Sequence, residues 1–150
     1  MSDRIELETV VRARPEHVFE VVAEPGWFIG GGDRTGQKHS REGELEVLDD
    51  PRYGRFAFRF EQHEAPRRLA FRCGFAPLGE PVPDPRNATT TLITFEVAAH
   101  ADGALLRVIE SGIEAYMPDE SERARFVEGN TAAWTKQLAI AKAIAENPSK

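Results

Sequence analysis

The segment GRFAFRFEQH alternates phenylalanine with small or polar residues, and it constrains the fold more than any other part of the chain. Phe56, Phe58 and Phe60 would project from one face of an extended strand, because successive side chains point to opposite sides. One apolar face and one polar face are typical of an antiparallel sheet that is covered on one side only. After the turn EAPRR, the segment LAFRCGF repeats the pattern with Leu69, Phe71, Cys73 and Phe75.

Four further segments are predicted to be strands of the same sheet. They are residues 5–11, 43–48, 90–99 and 104–112. In the first, Ile5, Leu7, Thr9 and Val11 share a face; in the third, Ile93, Phe95 and Val97 are expected to point inward. The last two strands are joined by HADG, whose Asp-Gly ending is typical of a tight hairpin. The sequence therefore predicts a sheet of about six strands.

Two helices complete the predicted α+β pattern. Pro15 suits the first turn of a short helix, which must end before Pro25. Asp119 can cap a long C-terminal helix, with Glu122 as its capping-box partner, and that helix should continue to about Glu146. Its apolar stripe is formed by Val127, Thr131, Trp134, Leu138, Ala141 and Ala145. We therefore expect the sheet to wrap around this helix, since both need an apolar cover.

Length and composition favour one domain spanning residues 1–150. The chain has 150 residues, of which 41% are hydrophobic, and its net charge is −6. Excess negative charge argues against nucleic acid as a partner, because phosphate binding requires a basic face. No apolar run is long enough for a membrane span and no apolar leader is evident at the N-terminus. With a single cysteine, these features predict a cytoplasmic protein.

Four segments, in this order, resemble a known superfamily. They are the first strand leading into RARPEHVFEVVAEP, then GRFAFRFEQHEAPRRLAFRC, then the hairpin ending in RVIESG, and finally AAWTKQLAIAKAIAE. Together they resemble the START/Bet v 1-like superfamily, also called SRPBCC. They are most similar to bacterial proteins resembling the C-terminal domain of the activator of the heat-shock-protein-90 ATPase. The resemblance implies the helix-grip fold and an internal cavity, but no catalytic set.

Two segments depart from that resemblance. GGGDRTGQKH and the proline-rich segment 76–87 are implied by the fold to border the mouth of the cavity. The first also invites comparison with a phosphate-binding loop. However, Gln37 follows Gly36 where that motif requires lysine, and a helix rather than a strand precedes it. We therefore interpret WFIGGGDRTGQKH as a flexible turn that lets Trp27, Phe28 and Ile29 pack as a short lid controlling access.

Few residues have the pattern of a catalytic or metal-binding site. His17 and Glu20 lie on the solvated side of the first helix, and no zinc-binding spacing is present, so no metal or cofactor is expected. Cys73 alternates with phenylalanines and is interpreted as a small core residue. Ser111 lacks the G-x-S-x-G context of a nucleophile.

Glu110 is the candidate with most chemical interest. If Leu106 and Val108 face inward, alternation places Glu110 inward as well, where it could bind a ligand hydroxyl or act as a base. The alternatives are a rim position, or a bulge near Gly112 that turns it outward. Asn130, four residues before Trp134, is either a pocket residue or a surface one.

These observations predict a binding protein rather than an enzyme, with a cavity for a small hydrophobic or aromatic molecule. The expected ligand-binding residues are Trp27, Phe28, Phe56, Phe58, Phe60, Phe71, Phe75, Phe95, Val108, Glu110, Asn130, Trp134 and Leu138. Two alternatives remain open. One is a metal-independent enzyme of the cyclase or hydratase type that uses Glu110, and the other is a co-chaperone-like protein-interaction module. A homodimer through exposed sheet edges is also plausible.

Overall fold

A computed structural model describes residues 4–24, 27, 29, 33–85 and 90–147. Within these ranges the chain forms seven strands and three helices. In chain order they are β1 (Arg4–Val11), α1 (Pro15–Val22), β2 (Lys38–Glu42), β3 (Leu45–Asp50), β4 (Gly54–Glu64), β5 (Arg68–Ala76), β6 (Leu92–His100), β7 (Gly103–Ser111), α2 (Ile113–Tyr116) and α3 (Glu120–Glu146).

The seven strands form one antiparallel sheet in the order β1-β7-β6-β5-β4-β3-β2. The prediction of about six strands was therefore one short, because it missed β2. Every residue of that strand, KHSRE, is exposed, so it has no apolar face from which alternation could be read. The prediction of short helices after the first strand is met by α1, and the short helix α2 follows β7 instead.

Strands β4 and β5 confirm the alternation that constrains the fold. Phe56 pairs with Phe75, Phe58 with Cys73, and Phe60 with Phe71, all on the inner face. A register shift after Phe60 marks a bulge, which inserts one residue and bends the strand.

The sheet opens beyond the middle of β5. Only residues 68–71 of β5 pair with β6, with Phe71 opposite Ile93 as the last pair. Cys73 and Phe75 therefore extend past the pairing with β6, and they lie at the same end of the sheet as the C-terminal end of β7. This open end is where the inner face is least covered, since Phe75 is 56% exposed.

The two longer helices follow their sequence signals closely. Pro15 occupies the first turn of α1, which buries Val18, Phe19 and Val22. The carboxylate of Asp119 accepts a hydrogen bond from the Glu122 backbone N–H at 2.9 Å, as an N-cap should.

The two halves of α3 differ in their packing against the sheet. All four fully buried residues of α3 lie in its second half: Trp134, Leu138, Ala141 and Ala145. The first half contributes only half-buried residues such as Phe126 and Val127. The sheet and the rest of the core therefore hold the C-terminal half of the helix more firmly.

A chain of aromatic rings fills the centre of the molecule between sheet and helices. Phe95 lies 5.8 Å from Trp134, 5.9 Å from Trp27 and 6.2 Å from Phe71, measured between ring centroids. Phe71 in turn lies 5.6 Å from Phe58. Tilted and edge-on rings at such separations add to the stability that burial provides.

Residues 82–85 of the proline-rich segment lie against the outer face of the sheet, whereas the fold resemblance implied a position at the mouth of a cavity. A Cβ added to outward-facing Gly74 would lie 2.8 Å from the Pro83 carbonyl oxygen. Asp84 also forms an ion pair with outward-facing Arg59 at 3.6 Å. The segment thereby covers Ala57, which is fully buried although it faces outward. Residues 86–87 lie outside the described ranges.

None of the described helices is both long enough and apolar enough to cross a lipid bilayer.

Candidate functional site

Glu110 points into the molecule from the end of β7, as alternation predicted. It stands in register between Ile5 of β1 and Ile93 of β6, and only 4% of its surface is exposed. Gly112 follows with a φ of 75°, so the left-handed residue that could disturb the strand comes after Glu110 rather than before it. Strand β7 is therefore still regular at Glu110, and the alternation of its side chains correctly predicts the direction of this residue.

Three side chains donate hydrogen bonds to this buried carboxylate. Asn130 Nδ2 and Trp134 Nε1, one turn apart on α3, both donate to Glu110 Oε1, at 2.9 and 2.8 Å. The hydroxyl of Thr91, just before β6, donates to Oε2 at 2.5 Å. These four residues are called the Glu110 cluster below. It ties helix α3 to the end of β7 and the start of β6, with Asn130 as its half-buried member.

The Glu110 cluster is satisfied by neutral donors. Among the described residues, no arginine or lysine forms an ion pair with Glu110. A carboxylate offers roughly four acceptor positions, and the cluster occupies two on Oε1 and one on Oε2. One acceptor position on Oε2 therefore remains for a further donor.

Apolar side chains that are not fully buried lie on the same inner face. Phe56, Phe60, Cys73 and Ile93 are half-buried, and Phe75 is exposed. On the helix side, Phe126 and Val127 are also half-buried. The inner face at the open end of the sheet therefore combines exposed apolar surface with one buried carboxylate.

The structure divides the expected ligand-binding residues into two groups. Trp27, Phe58, Phe71, Phe95, Val108, Trp134 and Leu138 are buried and pack against the chain's own core. Phe56, Phe60, Phe75 and Asn130 retain exposed surface, and Glu110 is buried but bonded to the helix. Phe28 lies outside the described residues.

Trp27 and Ile29 do not form the lid that the glycine-rich stretch suggested. Trp27 is 2% exposed, and its Nε1 donates to the Val22 carbonyl oxygen at 3.3 Å. Ile29 belongs to the same buried core. Both side chains are core residues because burying an indole or a butyl group is more favourable than leaving it at a surface opening.

The second half of the same stretch is fixed by hydrogen bonds and ion pairs around Asp50, a buried aspartate that the sequence analysis did not single out. Asp50, fully buried, accepts hydrogen bonds from Gln37 Nε2 at 3.0 Å and from Arg52 Nη2 at 3.1 Å. Arg52 Nη1 also reaches Asp33 at 2.7 Å. Hydrogen bonding from Arg52 lowers the pKa of Asp50 from its usual 3.8 to about 2. The sequence around Asp50, DDP, is typical of a turn and gives no sign that Gln37 bonds to it from 13 residues away.

The remaining chemical candidates do not combine into a reactive centre. Burial raises the pKa of the Cys73 thiol to about 12, so little of the nucleophilic thiolate is present at neutral pH. His17 and Glu20 lie 3.9 Å apart and are largely solvent-exposed, as predicted. Within the described ranges, no three histidine, cysteine or acidic side chains are grouped closely enough to hold a metal ion.

A separate cleft of about 690 Å³ lies between α1 and the end of α3. Val21, Trp27, Ala143 and Ile144 contribute its apolar surface, while His17, Glu20, Glu24 and Arg34 are among its polar residues. Arg34 and Glu24 are joined by an ion pair of 2.6 Å. Its α3 residues, Ala143 and Ile144, lie at the C-terminal end of the helix, beyond the residues that bond to Glu110.

Comparison with solved structures identifies the architecture. Protein MLL2253 from Mesorhizobium loti superposes with a TM-score of 0.63 at 15% identity, over 93% of this chain and 94% of that one. The Aha1 dimer from Colwellia psychrerythraea gives 0.64 at 14% identity, over 96% of both chains. This chain has the helix-grip fold. At such identities the likeness extends to the fold alone.

A third structure shows that the fold occurs within a longer chain. DynU16, described as a putative protein in the dynemicin biosynthetic locus, matches 99% of this chain but only 49% of its own, with a TM-score of 0.64 and 18% identity. No family model matches the sequence, and no curated protein is similar to it at a significant level. The function must therefore be inferred from the site.

Proposed function

We propose that this chain binds a small apolar molecule with one hydrogen-bond donor, at the open end of its sheet between β4, β5 and the first half of α3. The observation that carries the proposal is the exposed apolar surface on the inner face. Phe75 is 56% exposed although it occupies an inward strand position, and its neighbour Phe56 is only half-buried. Apolar surface on a concave face is the usual lining of a small-molecule site.

The hydrogen bonding of Glu110 favours a ligand that carries a single donor group. Its carboxylate has one free acceptor position on Oε2, next to the Thr91 hydroxyl. A ligand hydroxyl or N–H placed there would complete the hydrogen bonding of a buried polar group, which is worth more inside a protein than in water. Apolar surface would give affinity, and Glu110 would select the orientation of the ligand.

The proposal can be tested by mass spectrometry and by binding measurements. Native mass spectrometry of the protein from its own host should show a reproducible small molecule, and mixtures of lipids and aromatic alcohols should restore it after removal. Phe75→Ser should weaken binding of that molecule by about tenfold or more, because an exposed phenylalanine contributes on the order of 1–2 kcal/mol of contact.

Val21→Ser is the matched control, since Val21 lines the separate cleft between α1 and α3. Binding should survive this change. Loss of binding in Val21→Ser, with none in Phe75→Ser, would place the ligand in the other cleft and contradict the proposal. Repeated failure of any apolar molecule to bind would contradict it too.

The buried carboxylate also keeps the enzyme alternative open, as a metal-independent cyclase or hydratase. An active enzyme would lose turnover in Glu110→Gln while still binding its substrate, because glutamine keeps the shape but cannot serve as a base. Equal turnover in both forms would exclude Glu110 as the base.

A further inference from the structure

Among the strands that the structure describes, β1 lies at one end of the sheet and has no partner strand along its outer edge. It is the last strand in the sheet order and pairs only with β7, continuously from Arg4 to Val11. Val10 directs its carbonyl oxygen away from β7, to Lys142 Nζ at 3.0 Å. Because peptide groups on an antiparallel strand alternate in direction, those of Arg4, Glu6 and Glu8 also point away from the sheet.

Side chains of α3 cover the C-terminal end of this edge. Lys142 takes the Val10 carbonyl, and Glu146 accepts from the Arg12 backbone N–H at 2.8 Å. Within the part of the chain that the structure describes, no other strand pairs with the edge at residues 4–8. These residues also contain no proline, and their register shows no bulge, which are common ways of blocking an edge. The opposite edge, β2, is short and wholly exposed.

The outer face of the sheet carries a row of alternating charges that ends at this edge. Arg68, Glu96, Arg107 and Glu8 stand opposite one another on β5, β6, β7 and β1. Arg107 lies 3.5 Å from Glu96 and 2.9 Å from Glu8, and Arg68 pairs with Glu96. The row therefore ends in a carboxylate whose far side is open, and the next position across the edge would favour a positive charge.

We propose that a second copy of this chain occupies the edge, with residues 4–8 of the two β1 strands pairing antiparallel about a two-fold axis at Glu6. In that register Arg4 of each copy stands opposite Glu8 of the other, so the alternating row continues into the second sheet. On the inner face, Ile5 stands opposite Leu7 of the other copy. This interface is independent of the proposed ligand site.

The charges favour this register over the one centred on Leu7. Glu6 faces its counterpart across the axis, but Arg4 of the same chain bonds to it at 2.6 Å and Arg107 lies 3.5 Å away. Moving the axis to Leu7 would instead oppose Glu6 and Glu8 twice and leave Arg4 without an acidic partner. Like charges directly opposite each other destabilise a strand pair, whereas opposite charges stabilise it.

The test exchanges the charges of Arg4 and Glu8 and measures dimerisation by sedimentation velocity between roughly 5 and 500 µM protein. A short strand pair buries little area, so we expect a dimer with a dissociation constant on the order of 10–100 µM. Arg4→Glu and Glu8→Arg should each weaken it by about tenfold or more. The double variant should recover to within about threefold of the parent, because the two opposite-charge pairs re-form with their signs exchanged.

A matched control exchanges Arg41 and Glu46, which pair at 3.2 Å near the other edge, and it should leave dimerisation unchanged. The single variant Glu6→Cys should form a disulfide-linked dimer on mild oxidation, since directly opposed Cα atoms lie at about 5.5 Å. A monomer at every concentration would overturn the proposal. So would a dimer that ignores the charge reversals, or a double variant as weak as the single ones.

Discussion

Replacing Glu110 with alanine tests whether this carboxylate holds the middle of α3 against the sheet. The replacement removes the carboxylate that accepts from two buried residues, the hydroxyl of Thr91 (7% exposed) and the indole N–H of Trp134 (6% exposed). Each stranded donor costs about 1–3 kcal/mol. Asn130 is half-buried and can turn to water. We therefore expect Glu110→Ala to lower the free energy of unfolding by about 4 kcal/mol.

Two milder variants separate the hydrogen bonds from the rest of the effect. Glu110→Gln keeps a carbonyl oxygen for Asn130 and Trp134, and its amide can donate to the Thr91 hydroxyl, so we expect a loss of no more than about 1 kcal/mol. Trp134→Phe removes one donor and retains most of the aromatic surface, which predicts a loss of about 1–2 kcal/mol. Urea denaturation followed by far-ultraviolet circular dichroism gives all three values on one scale.

The order of the three results is the decisive outcome. If Glu110→Ala costs less than about 1 kcal/mol, the cluster does not hold α3 and the reasoning is refuted. If Glu110→Gln costs as much as Glu110→Ala, the negative charge matters more than the three donors.

Three further predictions concern other parts of the molecule. The folded-state pKa of Asp50 lies below its unfolded value of 3.8, so the stability from its pairing with Arg52 is present above pH 4 and is lost as the pH falls towards 2. Urea denaturation should therefore show that the free energy of unfolding is lower at pH 3 than at pH 7 by about 1 kcal/mol on account of this group. That contribution should be absent in Asp50→Asn. Gly103→Ala should lower the free energy of unfolding by more than about 2 kcal/mol, because the added Cβ would lie 2.4 Å from the Val11 carbonyl oxygen and φ is +139°. Gly129→Ala should raise it by about 0.5–1 kcal/mol, because Gly129 is helical and its added Cβ would meet nothing within 4 Å. Thermal unfolding compares the two variants. The Cys73 thiol, whose pKa is raised to about 12, should react with a disulfide reagent at pH 8 far more slowly than in urea, and an equal rate in both would contradict the raised pKa.

The sequence was most informative wherever one face of an element is buried. The alternation in β4 and β5, and the position of Glu110 on β7, follow from a period of two that a regular strand preserves to its end. The start of α3 followed from the chemistry of its cap at Asp119.

The features that were missed depend on partners distant in sequence or on surfaces without a pattern. Strand β2 has no buried face, so its pairing with β3 leaves no trace in its composition. Buried Asp50 accepts a hydrogen bond from Gln37, 13 residues away, and a turn-like DDP sequence gives no sign of that. The side of the sheet taken by residues 82–85 depends on the fit of Pro83 against Gly74. Thr91 was overlooked because nothing in a single threonine marks it as a donor to Glu110.

The uneven burial of α3 implies that its N-terminal turns can move while the residues after the Glu110 cluster stay in place. Residues 134–145 are anchored in the core, while the first three turns have no fully buried side chain. Tilting or unwinding those turns would expose little apolar surface, so the free energy of such an opening lies well below that of global unfolding. Amide hydrogens before Asn130 should therefore exchange much sooner than those after Trp134. Such an opening of the first turns of α3 would give a small molecule access to the inner face at the open end of the sheet.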